Sequence, residues 1–96
     1  MKSVTTAIDL NGQVAVVTGG GGGIGAATAY ALAAAGADVV VVEIDEQRAN
    51  ESVERIRADG HHAKAVVVDV TRQADVDWLA STVGRADVLV NNVGHH

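Results

Sequence analysis

The run VVTGGGGGIGAATAYALAAAG, residues 16–36, decides the fold of this chain. The β-branched residues that open it suit a buried strand, and the Ala-rich residues that close it favour a helix ending near Gly36. Between them, six of the eleven glycines in the sequence fall within positions 19–25. Because glycine loses more backbone entropy on folding than any other residue, this cluster implies that something must approach bare backbone at the strand-to-helix turn.

The same strand-then-helix pattern recurs along the chain. Short β-branched runs alternate with stretches in which apolar residues recur three and four apart, as Ala49, Val53 and Ile56 do. Thr71 is a candidate N-cap for the third helix, and Trp78 on that helix is expected to be buried or at a covered edge. Strands are predicted at 13–18, at 38–43, within 61–70 with its centre at 66–68, and at 88–91, with helices between them. This order predicts an α/β fold with parallel strands, right-handed crossovers and helices on both faces of the sheet.

Length and composition narrow the possible functions. The 96 residues allow one domain, and a net charge of -5 argues against nucleic acid or an anionic membrane surface as a partner. The sequence has no cysteine, no membrane-length apolar run and no signal-peptide layout, so we expect a cytoplasmic protein with a flexible N-terminus at residues 1–9. Adjacent histidines point to opposite sides of an extended chain, so no metal site is expected at His61 and His62.

The glycine turn has the chemistry of a phosphate site. A strand that runs through glycines into a helix presents free backbone N–H groups at the positive end of the helix dipole, where they can hold a phosphate. Two glycine spacings fit. Gly20, Gly22 and Gly25 satisfy G-x-G-x-x-G, whereas Gly19, Gly23 and Gly25 satisfy T-G-x-x-x-G-x-G behind Thr18.

Glu43 is the second sign of a dinucleotide site. It ends the second predicted strand, 18 residues beyond Gly25, and an acid near this spacing accepts hydrogen bonds from the adenosine ribose hydroxyls in dinucleotide-binding folds. The same carboxylate repels a 2′-phosphate. The glycine loop contains no Arg or Lys, and Ile44 rather than a basic residue follows Glu43, so the pattern favours NAD over NADP.

Polar residues end the next two strands at the same edge of the sheet. The Asp69 carboxylate could accept a hydrogen bond from an adenine amino group, or it could be a helix N-terminal acid. Asn91 and Asn92 end the fourth strand at the carboxyl edge, where ligands bind in open α/β sheets. For Asn92 a structural role and a binding role are equally open.

Taken together, the motifs Thr18-Gly19-x-x-x-Gly23-Ile24-Gly25, Asp69-Val70 and Asn91-Asn92-Val93-Gly94 resemble those in the N-terminal half of the short-chain dehydrogenases/reductases. The resemblance implies a Rossmann-like sheet of strand order 3-2-1-4 that stops after the fourth strand, with residues 1–96 as the dinucleotide-binding half of the domain. It also implies hydride transfer between NAD(H) and an alcohol or carbonyl substrate. The residues it assigns to the cofactor are Thr18, Gly19, Gly23, Ile24, Gly25, Glu43, Asp69, Val70 and Asn91.

The sequence departs from this family in two respects. Asp69 and Asn91 are 22 residues apart, about four fewer than the resemblance leads us to expect, which would shorten the third helix by roughly one turn. The resemblance also implies acid–base catalysis by a Tyr that is followed, four residues later, by a Lys. Here the single tyrosine, Tyr30, is followed four positions later by Ala34, so no catalytic residue carries over and the chain alone is expected to be inactive.

Two alternatives stay open beside the dehydrogenase. A methyltransferase uses a similar glycine turn for S-adenosylmethionine, although Thr18 stands where such enzymes usually carry an acid. A chain that only binds nucleotide, or only self-associates, would also fit. Self-association has a physical reason: the strand formed by Val88, Leu89 and Val90 is apolar and would lie unprotected at the edge of the sheet. We therefore expect a homo-oligomer through these residues.

Overall fold

A computed structural model describes residues 9–69 and 72–92, apart from the side chain of Val76. Four strands and three helices alternate strictly along these residues, which confirms the predicted α/β class. The elements are β1 (Val14–Thr18), α1 (Gly23–Ala34), β2 (Asp38–Glu43), α2 (Glu46–Ala58), β3 (His62–Val67), α3 (Gln73–Val83) and β4 (Val88–Asn91).

The four strands form one parallel sheet of order β3-β2-β1-β4, as the resemblance implied. Thr18 at the end of β1 lies opposite Val42 of β2 and Asn91 of β4. Glu43, one residue further along β2, lies opposite Val67. The strands therefore end level with one another, and their polar terminal residues share one edge of the sheet.

Helices cover the two faces of the sheet unequally. Ala15 and Val17 of β1 face α1 and α2, where Ala29 and Ile56 complete a fully buried core. Val16 faces the opposite side, where Leu79 of α3 is the buried helical residue that packs against the strands. The larger core, on the face covered by α1 and α2, is therefore built from Ala, Val and Ile. The face covered by α3 has a smaller core.

Helix α2 shows how local sequence sets an element. Asp45 at its N-cap accepts a hydrogen bond from the Arg48 N–H through its carboxylate at 3.1 Å, which satisfies one of the donors left open at a helix start. Ala49, Val53 and Ile56 are buried, as their spacing predicted. The chain leaves the helix through Gly60, which has φ of 84°, a conformation that favours glycine.

Three local predictions need correction. β3 runs from His62 to Val67 because it pairs in parallel with the whole of β2, so it lies within the predicted stretch 61–70 but its centre precedes the predicted centre at 66–68, and Val68 lies beyond it. The N-cap of α3 is Arg72, whose side chain makes no capping hydrogen bond, and Thr71 lies outside the described residues. Trp78 is 51% exposed on α3, because this helix has little of the sheet beneath it to cover a large side chain.

No helix among the described residues is long and apolar enough to cross a membrane. The expectation of a flexible N-terminus concerns residues of which only Asp9 is described. Its carboxylate accepts a hydrogen bond from the Asn11 N–H at 2.9 Å.

Candidate nucleotide-binding site

A broad cleft opens at the carboxyl edge of the sheet, between the glycine turn and α3. Its volume is about 1320 Å³, which is large enough for a dinucleotide-sized ligand to lie in part within it. The predicted site residues that line it are Thr18, Gly19, Gly23, Ile24, Glu43, Asp69 and Asn91. Val70 lies outside the described residues.

Gly19 and Gly25 are the two positions of the glycine turn that leave the least room for an added side chain. Gly19 has φ of 66°, and a Cβ there would lie 2.4 Å from the Asn92 carbonyl oxygen. A Cβ on Gly25 would lie 2.0 Å from the Gly19 carbonyl oxygen. Gly25 does not line the cleft but is buried behind it, where it lets α1 approach the end of β1.

The two candidate glycine spacings differ in conformation. Gly23 has φ of 53° with open space around it, so its backbone conformation favours glycine. Gly20 and Gly22 do not have positive φ, and a Cβ on Gly22 would meet only ordinary contacts at 3.8 and 3.9 Å. Positive φ within the turn therefore occurs at Gly19 and Gly23, which belong only to the spacing that begins at Gly19.

The N-terminus of α1 leaves backbone donors open. No side chain caps the helix at Gly22, and the bond from the Ala26 N–H to the Gly22 oxygen begins its hydrogen-bond ladder. The N–H groups of Gly23, Ile24 and Gly25 precede that bond, at the positive end of the helix dipole. This donor set suits the anionic pyrophosphate of a dinucleotide.

Thr18 joins β1 to the end of β4 at the floor of the cleft. Its hydroxyl donates to the Asn91 side-chain oxygen at 2.9 Å and accepts from the Asn92 N–H at 3.2 Å. Thr18 itself is 8% exposed. The hydroxyl therefore fixes the end of β4 against β1, which positions Asn91 at the rim of the cleft.

Glu43 is held in place by backbone donors. Its carboxylate accepts from the N–H groups of Ile44 at 3.0 Å, Asp45 at 3.3 Å and Gly21 at 3.3 Å. One oxygen takes the bond from Gly21 and the other takes the remaining two. Because each carboxylate oxygen can accept two hydrogen bonds, the oxygen bonded to Gly21 keeps a lone pair for a ligand hydroxyl.

Asp69 lies on the opposite wall of the cleft, two residues beyond β3. Its N–H donates to the Asp75 carboxylate at 3.2 Å, and its carbonyl oxygen accepts from the Arg72 N–H at 3.1 Å. These bonds tie the β3 end to the first turn of α3. They leave Asp69 half-buried at the sheet edge that it was predicted to occupy.

Two residues of the site were missed by sequence reasoning. Gly21 belongs to neither of the two candidate glycine spacings. A Cβ on it would nevertheless lie 2.7 Å from Glu43 Cγ and 2.9 Å from the Arg48 backbone. Arg48 lines the cleft beside the same turn. The glycine loop and the position after Glu43 contain no basic residue, so the sequence pattern indicated no cation at this edge. The signal for Arg48 was its place in the first turn of a helix that begins directly behind Glu43.

Comparison with known proteins agrees with this geometry. The family model described as short chain dehydrogenase matches residues 13–96. The 7alpha-hydroxysteroid dehydrogenase of Escherichia coli K12 is 42% identical over 89 residues, covering 88% of this chain and 35% of that protein. The (2S)-[(R)-hydroxy(phenyl)methyl]succinyl-CoA dehydrogenase subunit BbsD of Thauera aromatica is 36% identical over 89 residues, covering 88% of this chain and 36% of that protein.

Solved structures give the same result. A metagenomic short-chain oxidoreductase in complex with NADP superposes with a TM-score of 0.86 at 41% identity, covering 90% of this chain and 41% of that one. The chain spans about a third of the length of the curated relatives it matches. These matches favour the oxidoreductase interpretation over the methyltransferase alternative.

Proposed function

Because the chain belongs to the short-chain dehydrogenase family, we propose that residues 1–96 form the dinucleotide-binding half of an oxidoreductase that acts on an alcohol or carbonyl substrate. When bound, the nicotinamide cofactor supplies or accepts the hydride. The residues of this chain bind and orient it: the N–H groups at the start of α1 hold the pyrophosphate, and Glu43 holds the adenosine ribose. Asp69, Val70 and Asn91 are proposed to flank the adenosine.

The arrangement of Glu43 carries this proposal. Its carboxylate is fixed by the Gly21 N–H at the edge of the glycine turn, so a ribose placed there can donate to it without the side chain reorganising. A fixed negative charge favours the two hydroxyls of NAD over the phosphorylated ribose of NADP. We therefore propose that NAD is the preferred cofactor, even though the related metagenomic enzyme holds NADP.

Calorimetric titration with NAD and NADP tests the cofactor assignment. We expect the wild type to bind NAD more tightly than NADP, and Glu43→Ala to weaken NAD binding by about tenfold, the effect of losing a charge-assisted hydrogen bond. Glu54→Ala is a matched control, because Glu54 is exposed on α2 and does not line the cleft. Equal binding of both cofactors by the wild type would overturn the role given to Glu43.

We also propose that this chain alone does not catalyse hydride transfer. Tyr30 is the single tyrosine of the sequence. Its hydroxyl donates to the Asp59 carboxylate, and neither residue lines the cleft. The Asp59 hydrogen bond raises the pKa of Tyr30, which is opposite to what a tyrosine acting as a base would need. Measurable reduction of NAD by this chain with a secondary alcohol would contradict the proposal.

Self-association through β4 is a further part of the proposal. Among the described residues β4 pairs with β1 on one side only, and Leu89 at its centre is 68% exposed. An apolar, uncharged strand edge is a template for pairing with another chain. We expect sedimentation velocity to show a dimer or larger species, and Leu89→Lys to shift it toward monomer. A clean wild-type monomer at high concentration would refute self-association through β4.

The cytoplasmic location of the protein stays a prediction from the sequence.

A further inference from the structure

Arg48 is a basic residue whose side chain lies beside the glycine turn. It is the third residue of α2, and its side chain runs back over the loop. A Cβ on Gly22 would lie 3.8 Å from Arg48 Cδ and 3.9 Å from its Nη1. Glu43 and Arg48 flank the same glycine, because a Cβ on Gly21 would lie 2.7 Å from Glu43 Cγ and 2.9 Å from Arg48 Cβ.

The Arg48 guanidinium has no protein acceptor within the described part of the chain. Its backbone N–H is used by the Asp45 cap, which fixes the start of the side chain without occupying its charged end. Other arginines are engaged: Arg57 donates to the Ala63 oxygen and Arg85 pairs with Asp87. Arg48 is exposed, so its five N–H donors are available at the cleft wall.

The acidic side chains around Arg48 have other hydrogen-bond partners, so they do not neutralise the positive charge of its guanidinium. Glu43 is occupied by three backbone N–H groups. Glu51, which also lines the cleft, accepts from the Gln47 side chain at 3.0 Å. The ribose end of the cleft therefore carries a fixed carboxylate and an uncommitted guanidinium side by side.

We propose that Arg48 is a specificity-determining residue that receives the 2′-phosphate of NADP, so that discrimination against NADP by Glu43 is only partial. The inference rests on the proposed cofactor function. A guanidinium offers paired donors to phosphate oxygens and offsets the repulsion between that phosphate and Glu43. With NAD, which lacks the phosphate, Arg48 contributes little, so this residue sets the ratio of the two affinities.

Two fragments of the cofactors separate this role from nicotinamide binding. Titration with adenosine 5′-monophosphate reports the adenosine site, and titration with adenosine 2′,5′-bisphosphate adds the 2′-phosphate alone. We expect Arg48→Ala to weaken bisphosphate binding by about tenfold, as the loss of a charged hydrogen bond predicts, with less than about a twofold change for the monophosphate. Arg48→Lys should restore part of the loss, because it keeps the charge without the paired donors.

Arg55→Ala is the matched control. Arg55 lies on the same helix, but its guanidinium sits over the Tyr30 ring, 5.6 Å from the centroid, and it does not line the cleft. Arg55→Ala removes one positive charge, as Arg48→Ala does, and should change the affinity for neither adenosine fragment. Far-UV circular dichroism of each variant checks that the fold is retained.

The outcomes distinguish the two levels of the proposal. If the wild type binds the monophosphate and Arg48→Ala leaves the ratio of bisphosphate to monophosphate affinity unchanged, the assignment of Arg48 is overturned and the adenosine site stands. If the wild type binds neither fragment, the cofactor function and the assignment of Arg48 fall together. An equal loss of bisphosphate binding in Arg55→Ala would show a general charge effect and would also overturn the assignment.

Discussion

Substituting Gly25 by Ala tests the central geometric claim about the glycine turn. By helix propensity alone, Ala at this position of α1 should stabilise the chain by up to about 1 kcal/mol. The added Cβ, however, would lie 2.0 Å from the Gly19 carbonyl oxygen and 2.8 Å from the Asn92 side-chain nitrogen. The first of these is a backbone atom that no rotamer change can move, so the turn or α1 must shift.

The size of the effect follows from these opposing terms. Overpacking a tight site costs about 1–3 kcal/mol, and contact with fixed backbone argues for the upper end. After the gain in helix propensity, we expect a net loss of about 2 kcal/mol in the free energy of unfolding. For a domain of this size that lowers the melting temperature by roughly 10 °C.

Thermal unfolding followed by far-UV circular dichroism measures this loss, with Gly22→Ala as the control. A Cβ on Gly22 would meet nothing closer than 3.8 Å, so that variant should lose less than about 1 kcal/mol, from a poorer N-cap. A Gly25→Ala protein as stable as wild type, or no less stable than Gly22→Ala, would refute the claim that close approach requires glycine there.

Three further predictions concern stability. Thr18→Val removes the acceptor of the Asn92 N–H and should cost about 1–3 kcal/mol in urea unfolding; an unchanged midpoint would contradict this. Ile56→Ala empties a site that is 0% exposed and should cost about 2–5 kcal/mol, against a much smaller loss for Ile56→Val. The hydrogen bond from the Val14 N–H, and to a smaller extent the one from Arg85, lowers the pKa of Asp87. The ionised Asp87 carboxylate therefore stabilises the fold above the unfolded pKa of about 3.9, and this stabilisation is lost as the pH falls through the folded pKa. The stability difference between wild type and Asp87→Asn should therefore shrink from pH 6 to pH 3.

The order of elements was predictable because it is written in local patterns. β1, β2 and β4 each contain a short apolar run rich in Val, and buried strands of a parallel sheet need apolar side chains on both faces. Ala49, Val53 and Ile56 repeat with the period of a helix that has one buried face. β3 and α3 were placed less well, since HAKAVV carries little apolar signal before its pairing with β2 is known.

Part of the candidate site was predictable as well. Thr18, Glu43 and Asp69 stand at or just beyond strand ends, and parallel strands bring their carboxyl ends to one edge. The run of glycines alone could not say which of its members the backbone requires. At Gly19 and Gly25 the requirement comes from the carbonyl oxygens of Asn92 and Gly19 respectively, which approach these positions only in the folded chain.

The sequence by itself determined the alternation of strands and helices, the place of the glycine turn and the acid at the end of β2, because each is set by residues within one element or at its end. Only the tertiary structure decided that Thr18 ties β4 to β1, that Gly21 anchors Glu43, and that Arg48 lies over the glycine turn. The physical reason is distance: these contacts join separate elements, and the packing of α2 against the sheet brings a cation to a loop that contains none.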